Sequence, residues 1–277
     1  MRLRSYAKIN LTLNVNKNTH SGLHNLQSIY CLINFFDKIS IKKSKYKDKI
    51  TFKGPYSKYV NSKKNTVKDI LSIMRKYQLI SNYYEIEILK KIPVFAGFGG
   101  GTSNAATILK FLTKNKIKKK IFNDIIKYIG SDLRLFSHEQ GFAENLQIIK
   151  KLKRKMSLIF LLAYPRIKCS TKQIFSKVSK FSKDNNFRPS KFQKKRKFIN
   201  YLVNSKNDLQ SIVEKKYPSV RRLLKEINKL EGCFFSRMTG SGSACYGLFD
   251  DENSSKVALK KLRKKYPKIW FSIAKTI

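Results

Sequence analysis

A cluster of glycines between a predicted strand and a predicted helix constrains the fold of this chain more than any other feature. Gly97, Gly99, Gly100 and Gly101 follow residues 83–89, where apolar and polar side chains alternate as in a strand. A helix-like apolar stretch follows at residues 107–112. Because glycine has no Cβ, several backbone N–H groups of such a loop can approach one anion. The positive end of the following helix points to the same place, so the pattern predicts a phosphate site.

This loop differs from two common phosphate-binding motifs. No lysine follows its last glycine, as a Walker A loop requires, and Thr102 interrupts the spacing of the dinucleotide-binding GxGxxG motif. The hydroxyls of Thr102 and Ser103 are predicted to cap the helix. A hinge or a tight packing turn is the alternative for glycines alone. The strand, the hydroxyls and the helix in register favour phosphate binding.

The net charge is extreme. The chain carries 60 Lys and Arg residues but only 17 Asp and Glu residues, so its formal charge is +43. Such a charge suggests a nucleic-acid partner. However, the basic runs are scattered, lysine far outnumbers arginine, and no RNP aromatic pattern, zinc finger or helix-turn-helix accompanies them. We therefore attribute the charge to the codon bias of an AT-rich genome and expect no specific nucleic-acid partner.

Membrane insertion and structural zinc are also disfavoured. No apolar run approaches the ~20 residues of a spanning helix, and the N-terminus lacks the apolar core and cleavage site of a signal peptide. Cys31, Cys169, Cys233 and Cys245 are far apart and form no CxxC, and the three histidines add no metal-ligand spacing. This usage predicts a reducing, cytoplasmic location and no membrane partner.

Apolar periodicity predicts the order of elements. Strands are predicted at residues 11–15, 28–36, 37–41, 49–52, 83–89, 142–148, 157–164, 234–238, 244–249 and 269–273. Further helices are predicted at residues 65–77 with Asn65 as N-cap, 119–129, 198–204, 208–215, 220–230 and 254–265. Residues 179–195 are polar and predicted to be irregular. The run at 157–164 is continuously apolar, as in a buried strand, so we place a boundary just before it, between domains 1–152 and 153–277.

Residues 239–243 form a second small-residue turn, T-G-S-G-S, between two predicted strands. By itself this turn is typical of a strand connection. Its functional alternative is a loop placed against a substrate or a phosphate.

Taken together, these segments resemble the GHMP small-molecule kinases over nearly the whole chain. The matching segments, in order, are residues 5–11 (S-Y-A-K-I-N-L), 22–24 (G-L-H), 96–106 (A-G-F-G-G-G-T-S-N-A-A), 130–132 (G-S-D), 142–144 (F-A-E), 207–209 (N-D-L) and 237–242 (R-M-T-G-S-G). The glycine loop is the mark of the superfamily. The A-K-I-N-L start and the G-x-H segment narrow the resemblance to members that act on a cytidine-diphosphate-linked polyol.

The resemblance implies an α+β fold in two lobes. The N-terminal lobe is expected to be similar to a ribosomal-protein S5-like domain, and the C-terminal lobe to contain an antiparallel sheet with helices, with the active site in the cleft between them. The implied reaction transfers the γ-phosphoryl group of ATP, with Mg²⁺, to the tertiary 2-hydroxyl of the polyol. This is a step of the non-mevalonate route to isoprenoid precursors.

The resemblance also implies the catalytic residues. Asp132 is expected to be the general base that accepts the proton of the attacking hydroxyl. Lys8 would keep this carboxylate ionised or stabilise transferred charge, and Asn10 would bind the polyol or orient Lys8. Without the resemblance, Asp132 is typical of a helix-ending turn and Lys8 of a surface charge.

Binding residues follow from the same match. On the substrate side, His24 would read the cytosine edge, Phe175 would stack on the base beside Thr171, and Gly240 and Gly242 would border the diphosphate. The residues expected to hold ATP are Pro93, Ala96, Gly97, Phe98, Gly99, Gly100, Gly101, Thr102, Ser103 and Asn104. Ser103 is also the expected protein contact of Mg²⁺ that arrives with ATP.

Three positions depart from the family pattern. Tyr6 replaces a proline, Leu23 replaces an aromatic residue beside His24, and Arg134 replaces a proline two residues after Asp132. Loss of the aromatic partner predicts weaker cytidine binding. Arg134 could shift the pKa of the base, contact phosphate or face water.

Three other functions remain open. The chain could be a GHMP kinase for a different alcohol, a basic nucleic-acid-binding protein whose glycine loop touches backbone phosphate, or a decayed kinase that keeps only the fold.

Overall fold

The computed structural model describes residues 1–16, 25–145, 147–183, 187–188, 190 and 192–277. Two compact units interleave along the sequence. The first contains Met1–Ala7, Phe35–Val94 and Gly99–Ser137, and the second contains Lys8–Asn34, Phe95–Phe98 and His138–Ile277. The domain boundary placed at residue 152 divides the chain only once, and it stays a prediction about the extent of the family domains.

The elements are mixed α and β, as the resemblance implies. The strands are β1 Arg2–Asn10, β2 Asn14–Asn16, β3 Asn25–Ser44, β4 Lys49–Lys53, β5 Tyr83–Leu89, β6 Gln140–Ala143, β7 Ile149–Lys151, β8 Ile159–Tyr164, β9 Cys233–Met238, β10 Cys245–Phe249 and β11 Trp270–Lys275. The α-helices are α1 Thr66–Lys76, α2 Gly100–Leu112, α3 Lys119–Ile129, α4 Thr171–Phe175, α5 Lys195–Val203, α6 Gln210–Lys216, α7 Pro218–Asn228 and α8 Glu252–Lys265. Short 3₁₀ helices cover Ser57–Tyr59 and Ser131–Ser137.

The first unit contains a small sheet and the helices that precede and follow the glycine loop in the chain. The C-terminal half of β3 pairs antiparallel with β5, and β5 pairs in parallel with β4. Helix α1 buries Val67, Ile70, Leu71 and Met74. The positions that face the core recur at helical spacing, so this helix is held by its apolar stripe.

In the second unit, β6 pairs with the N-terminal half of β3, and a separate antiparallel sheet has the order β11-β8-β10-β9. Strand β8 pairs with both β10 and β11, and its apolar residues from Phe160 onward are buried. Helices α6, α7 and α8 contribute Val213, Leu223 and Leu262 to the core beside this sheet. A strand covered on both faces has no polar alternation, which is why the sequence here is a continuous apolar run.

The strongest periodic signals were located correctly. Strand β5 and helix α3 have the predicted bounds, α1 begins after its Asn65 N-cap, and β8 is buried as expected. The strands predicted at 28–36 and 37–41 are one continuous strand, β3. The strand predicted at 142–148 is also different, because β6 ends at Ala143 and β7 begins at Ile149. Part of the segment predicted to be irregular lies outside the described residues.

The strand predicted at residues 11–15 is confirmed only at its end, because β2 begins at Asn14. The main N-terminal strand is β1, Arg2–Asn10, which the periodicity did not predict. Residues 7–10 of β1 are all buried, so the alternation that reveals a strand is lost there. The backbone at Leu13 instead bonds to a loop, accepting from Asp208 N (2.8 Å) and donating to Lys206 O (3.0 Å).

Within the described ranges, no helix combines the length and the apolar character needed to cross a membrane.

The Asn65 cap predicts a measurable stability effect. Its Oδ1 accepts from Val67 N at 3.2 Å and Lys68 N at 3.1 Å. We expect Asn65→Ala to lower the free energy of unfolding by about 1 kcal/mol, because these N–H groups lose their acceptor. Asn65→Asp keeps an acceptor oxygen for both N–H groups, loses only the Nδ2 bond to the Asn61 carbonyl (3.0 Å), and serves as the control. Equal urea denaturation curves for the two variants would contradict the capping role.

Candidate active site

The glycine loop leads directly into helix α2. Gly99 is its N-cap with φ +69°, in the left-handed region, and the helix begins at Gly100. Thr102 and Ser103 therefore lie inside the first turn and do not cap the helix, which corrects the predicted cap. Ser103 N donates the first helical hydrogen bond, to the Gly99 carbonyl at 2.8 Å, so the N–H groups of residues 100–102 precede it and have no helical acceptor. With the helix dipole, such N–H groups can accept an anion, so the geometry is compatible with the phosphate site that the sequence predicts.

A buried polar network lies behind this helix turn, within the first unit. Lys90 Nζ donates to Asp37 Oδ2 and, at 3.0 Å, to Asn104 Oδ1. The other Asp37 oxygen accepts from Lys91 N at 2.7 Å and Ile92 N at 2.9 Å. Burial lowers the pKa of Lys90, an effect that the Asp37 carboxylate opposes. The pair ties β3 and the segment after β5 to helix α2.

Two hydroxyls extend the network to the N-terminal strand. Asn104 Nδ2 donates to Ser5 Oγ at 2.9 Å, Ser5 Oγ donates to Ser103 Oγ at 2.8 Å, and Ser103 Oγ donates to the Tyr6 carbonyl at 2.6 Å. Ser103 and Asn104 are each only 1% exposed. Their side chains thus hold the helix in place, and the structure does not favour Ser103 as a Mg²⁺ contact.

In the second unit, the other half of the glycine loop packs against the small-residue turn at residues 239–243. A Cβ on Gly97 would lie 2.5 Å from the Thr239 carbonyl oxygen and 3.3 Å from that of Gly242. Ala244 N donates to the Ala96 carbonyl at 3.0 Å. Only glycine fits at position 97, which also has φ +85°. The two turns that looked separate in the sequence therefore form one layered backbone structure.

Lys8 and Asn10 lie beside this layer. Lys8 is 3% exposed, its Nζ donates to Asn10 Oδ1, and its backbone N–H donates to the Phe98 carbonyl at 3.0 Å. Asn10 N donates to Thr239 Oγ1 at 3.0 Å. A Cβ on Gly240 would lie 3.4 Å from Lys8 Nζ and 3.5 Å from Asn10 Oδ1. Three residues predicted for catalysis or substrate binding, Lys8, Asn10 and Gly240, are therefore brought together.

Asn207 fixes this turn and Arg237 fixes the strand that leads into it, although the sequence assigned these two buried side chains no role of their own. Asn207 Nδ2 donates to the carbonyls of Met238 and Gly240, both at 2.9 Å. Arg237 donates to the carbonyls of Leu11 at 2.6 Å and Ser205 at 2.5 Å. Both residues belong to motifs that matched the family, N-D-L and R-M-T-G-S-G. That match was the one feature of the sequence that could have pointed to them.

The remaining binding candidates have different surroundings. Thr171 Oγ1 and Ser241 Oγ share a hydrogen bond of 2.8 Å, which connects α4 to the turn. Phe175 is half-buried and packs partly against the core of the second unit. Pro93, Ala96 and Phe98 are buried, so their backbone, not their side chains, would face a nucleotide. His24 and Leu23 lie outside the described residues.

Asp132 lies in the first unit, on the 3₁₀ helix Ser131–Ser137, and is exposed. Arg134, on the same helix, does not simply face water. Its Nη2 donates to Asn123 Oδ1 of α3 at 2.9 Å, and its guanidinium lies 5.8 Å from the centroid of the Phe122 ring. Burial lowers the pKa of this guanidinium. Arg134 thus connects the short helix of Asp132 to α3.

Gly240 gives a direct test of the layered turn. It has φ +57°, and Gly240→Ala would place a methyl group 3.3 Å from the Gly97 carbonyl oxygen and against Lys8. We expect at least a tenfold loss of phosphoryl-transfer rate, because a displacement of the reacting groups by a fraction of an ångström is costly. Gly232→Ala is the control, with φ +75° in a turn whose nearest neighbours are Ser254 and Phe249. It should lower the melting temperature and leave the rate unchanged; equal rate losses in both variants would contradict the role of Gly240.

Comparison with known proteins agrees with this geometry. The family described as GHMP kinases C terminal matches residues 195–268. A solved structure, the crystal structure of 4-(cytidine 5'-diphospho)-2C-methyl-D-erythritol kinase, superposes with a TM-score of 0.76 at 21% identity and covers 99% of both chains. The mevalonate kinase of Methanococcus jannaschii superposes with a TM-score of 0.66 at 16% identity, covering 100% of this chain and 98% of that one. These likenesses establish the two-lobed α+β fold of the GHMP kinases.

Sequence relatives establish the family. A Pelagibacter ubique protein named 4-diphosphocytidyl-2-C-methyl-D-erythritol kinase is 39% identical over 100% of this chain and 99% of its own length. A Wolbachia protein from Brugia malayi with the same name is 30% identical over 99% of this chain and 98% of its own length. The chain belongs to the 4-diphosphocytidyl-2-C-methyl-D-erythritol kinase family of GHMP kinases.

Proposed function

We propose that this protein transfers the γ-phosphoryl group of ATP to the 2-hydroxyl of 4-diphosphocytidyl-2-C-methyl-D-erythritol, a step of the non-mevalonate route to isoprenoid precursors. The observation that carries the proposal is the 39% identity along the whole chain to a kinase of that name. The arrangement of Lys8, Asn10 and Gly240 supports it, since three residues implied by the family resemblance lie within contact of one another.

ATP phosphates would be held by the backbone from Gly97 to Thr102. Main-chain N–H groups and a helix N-terminus bind an anion without a side-chain charge, so a lysine after the last glycine is unnecessary. Mg²⁺ would arrive with ATP and be bound chiefly by phosphate oxygens and water, as is usual for this ion. Among the described residues, no group of three or more His, Cys, Asp and Glu side chains could hold a metal ion.

Asp132 would act as the general base toward the attacking hydroxyl. It is exposed at the start of a short helix, where a substrate can reach its carboxylate. Lys8 would stabilise the negative charge that develops during transfer, with Asn10 fixing the position of its ammonium. A buried ammonium is poorly hydrated, which strengthens its interaction with a nearby phosphoryl group.

The alcohol substrate would lie along the turn at residues 239–243. Gly240 and Gly242 would border its diphosphate. Because the Thr171 and Ser241 hydroxyls share a hydrogen bond, one of the two would donate to a phosphate oxygen. We retain His24 and Phe175 as the proposed cytosine contacts. We also propose a cytoplasmic location, supported by four free cysteines.

The choice of acceptor is the first test. We expect ADP release in a coupled assay with ATP, Mg²⁺ and 4-diphosphocytidyl-2-C-methyl-D-erythritol, and background release with homoserine, with mevalonate or without acceptor. Stimulation by homoserine or mevalonate instead would contradict the proposed substrate. ATP binding without any stimulated release would indicate a decayed kinase, and salt-sensitive oligonucleotide binding without transfer would indicate a nucleic-acid-binding protein.

Two substitutions test the catalytic roles. We expect Asp132→Asn and Lys8→Ala each to lower kcat by about 10²-fold or more, because each removes a group that acts on the transferred proton or charge. If the two act on one step, the double variant should be little slower than the slower single variant. Asp124→Asn and Lys127→Ala are the controls, since these residues form an ion pair along α3. Near-normal kcat in either test variant would remove that residue from the mechanism.

A further inference from the structure

Phe95 is an unusual residue for the position that it occupies. It lies in the glycine loop with φ +61°, in the left-handed region that favours glycine. Its side chain is 53% exposed, so packing in the core does not explain the conformation. A bulky residue at positive φ is an outlier, and such outliers cluster at functional sites. An exposed aromatic ring held in a strained backbone therefore points to a binding role.

The surroundings of Phe95 within the second unit indicate which ligand it meets. Lys168 Nζ lies 5.4 Å from the centroid of the ring. The segment that follows Phe95 packs on the turn at residues 239–243 through Gly97 and Ala96. The segment containing Lys168 contacts the same turn, because Ser243 Oγ donates to the Ile167 carbonyl at 2.5 Å. The segments that contain Phe95 and Lys168 therefore both contact the turn that is proposed above to bind the alcohol substrate.

We propose that Phe95 determines specificity by stacking on the cytosine base of the alcohol substrate, with Lys168 beside the ring. This inference rests on the proposed function, which supplies a substrate with a base and a diphosphate. A base and an exposed phenyl ring stack through their π faces, and an adjacent ammonium favours a phosphate-bearing ligand. Adenine of ATP is the competing ligand, and the test separates the two.

The test measures binding of cytidine 5'-diphosphate and of ATP separately by calorimetry, together with the melting temperature. We expect Phe95→Leu to raise the Kd of cytidine 5'-diphosphate by about fivefold or more, because leucine keeps apolar bulk but has no π face. Phe95→Tyr should stay within about twofold of the unaltered protein, since the ring is kept. The Kd of ATP should not change. Phe234→Leu is the control, as another exposed aromatic residue of the second unit, 40% exposed.

Phe95→Gly separates a binding role from a structural one. Glycine adopts φ +61° readily, so this variant should melt at the same temperature as the unaltered protein or higher, yet bind cytidine 5'-diphosphate as weakly as Phe95→Leu. Gln78→Gly, at φ +54°, is the matched control for the backbone effect alone. A lower melting temperature for Phe95→Gly would show that the ring serves the fold and would overturn the inference.

The remaining outcomes also decide. Equal affinity of the unaltered protein and Phe95→Leu for cytidine 5'-diphosphate would overturn this inference alone. Weaker ATP binding with unchanged cytidine 5'-diphosphate binding would assign the ring to ATP and overturn it as well. Absence of cytidine 5'-diphosphate binding by the unaltered protein would overturn the proposed function together with the inference.

Discussion

The buried ion pair between Lys90 and Asp37 is the interaction on which the position of helix α2, at the end of the glycine loop, depends. Asp37 is fully buried and Lys90 is 2% exposed, so both charges have lost nearly all their water. Such burial is costly unless every lone pair and proton finds a partner. Here the backbone after β5 and the amide of Asn104 supply those partners, and Asn104 belongs to helix α2. The charge pair thereby fixes the helix whose first turn we propose as the phosphate site.

In the second unit, the surroundings of Lys8 and Asn10 are fixed differently, by close contact between backbones. Gly97 and Gly240 let two turns approach more closely than any side chain permits, and Asn207 donates to the carbonyls of Met238 and Gly240. Lys8 and Asn10 are buried next to this layer. Small residues therefore let the Lys8 ammonium lie close to the turn, and the Asn10 side chain fixes its position. Phe95 is the exception, a large residue retained where the backbone favours glycine.

Local sequence patterns were sufficient to predict a helix or strand where one face of the element is buried and the other is not. Helix α1 and strand β5 show their apolar positions at the expected spacing, and Asn65 marks the start of the helix. The same reasoning failed at β1, where the residues from Ala7 to Asn10 are buried regardless of polarity. It also failed for the caps of α2, because Ser103 is used by Ser5 and Tyr6, which lie almost a hundred residues earlier.

The sequence by itself determined the family and most of the elements, and it predicted the glycine loop as a phosphate site, because these depend on residue types at short spacing. Tertiary structure alone decided what the polar residues of that loop do. Ser103 and Asn104 turned out to hold helix α2, and Arg134 to join the short helix of Asp132 to α3. A side chain near a site either faces the ligand or supports the backbone that does. Which of the two occurs depends on partners distant in the chain, which residue type and spacing do not encode.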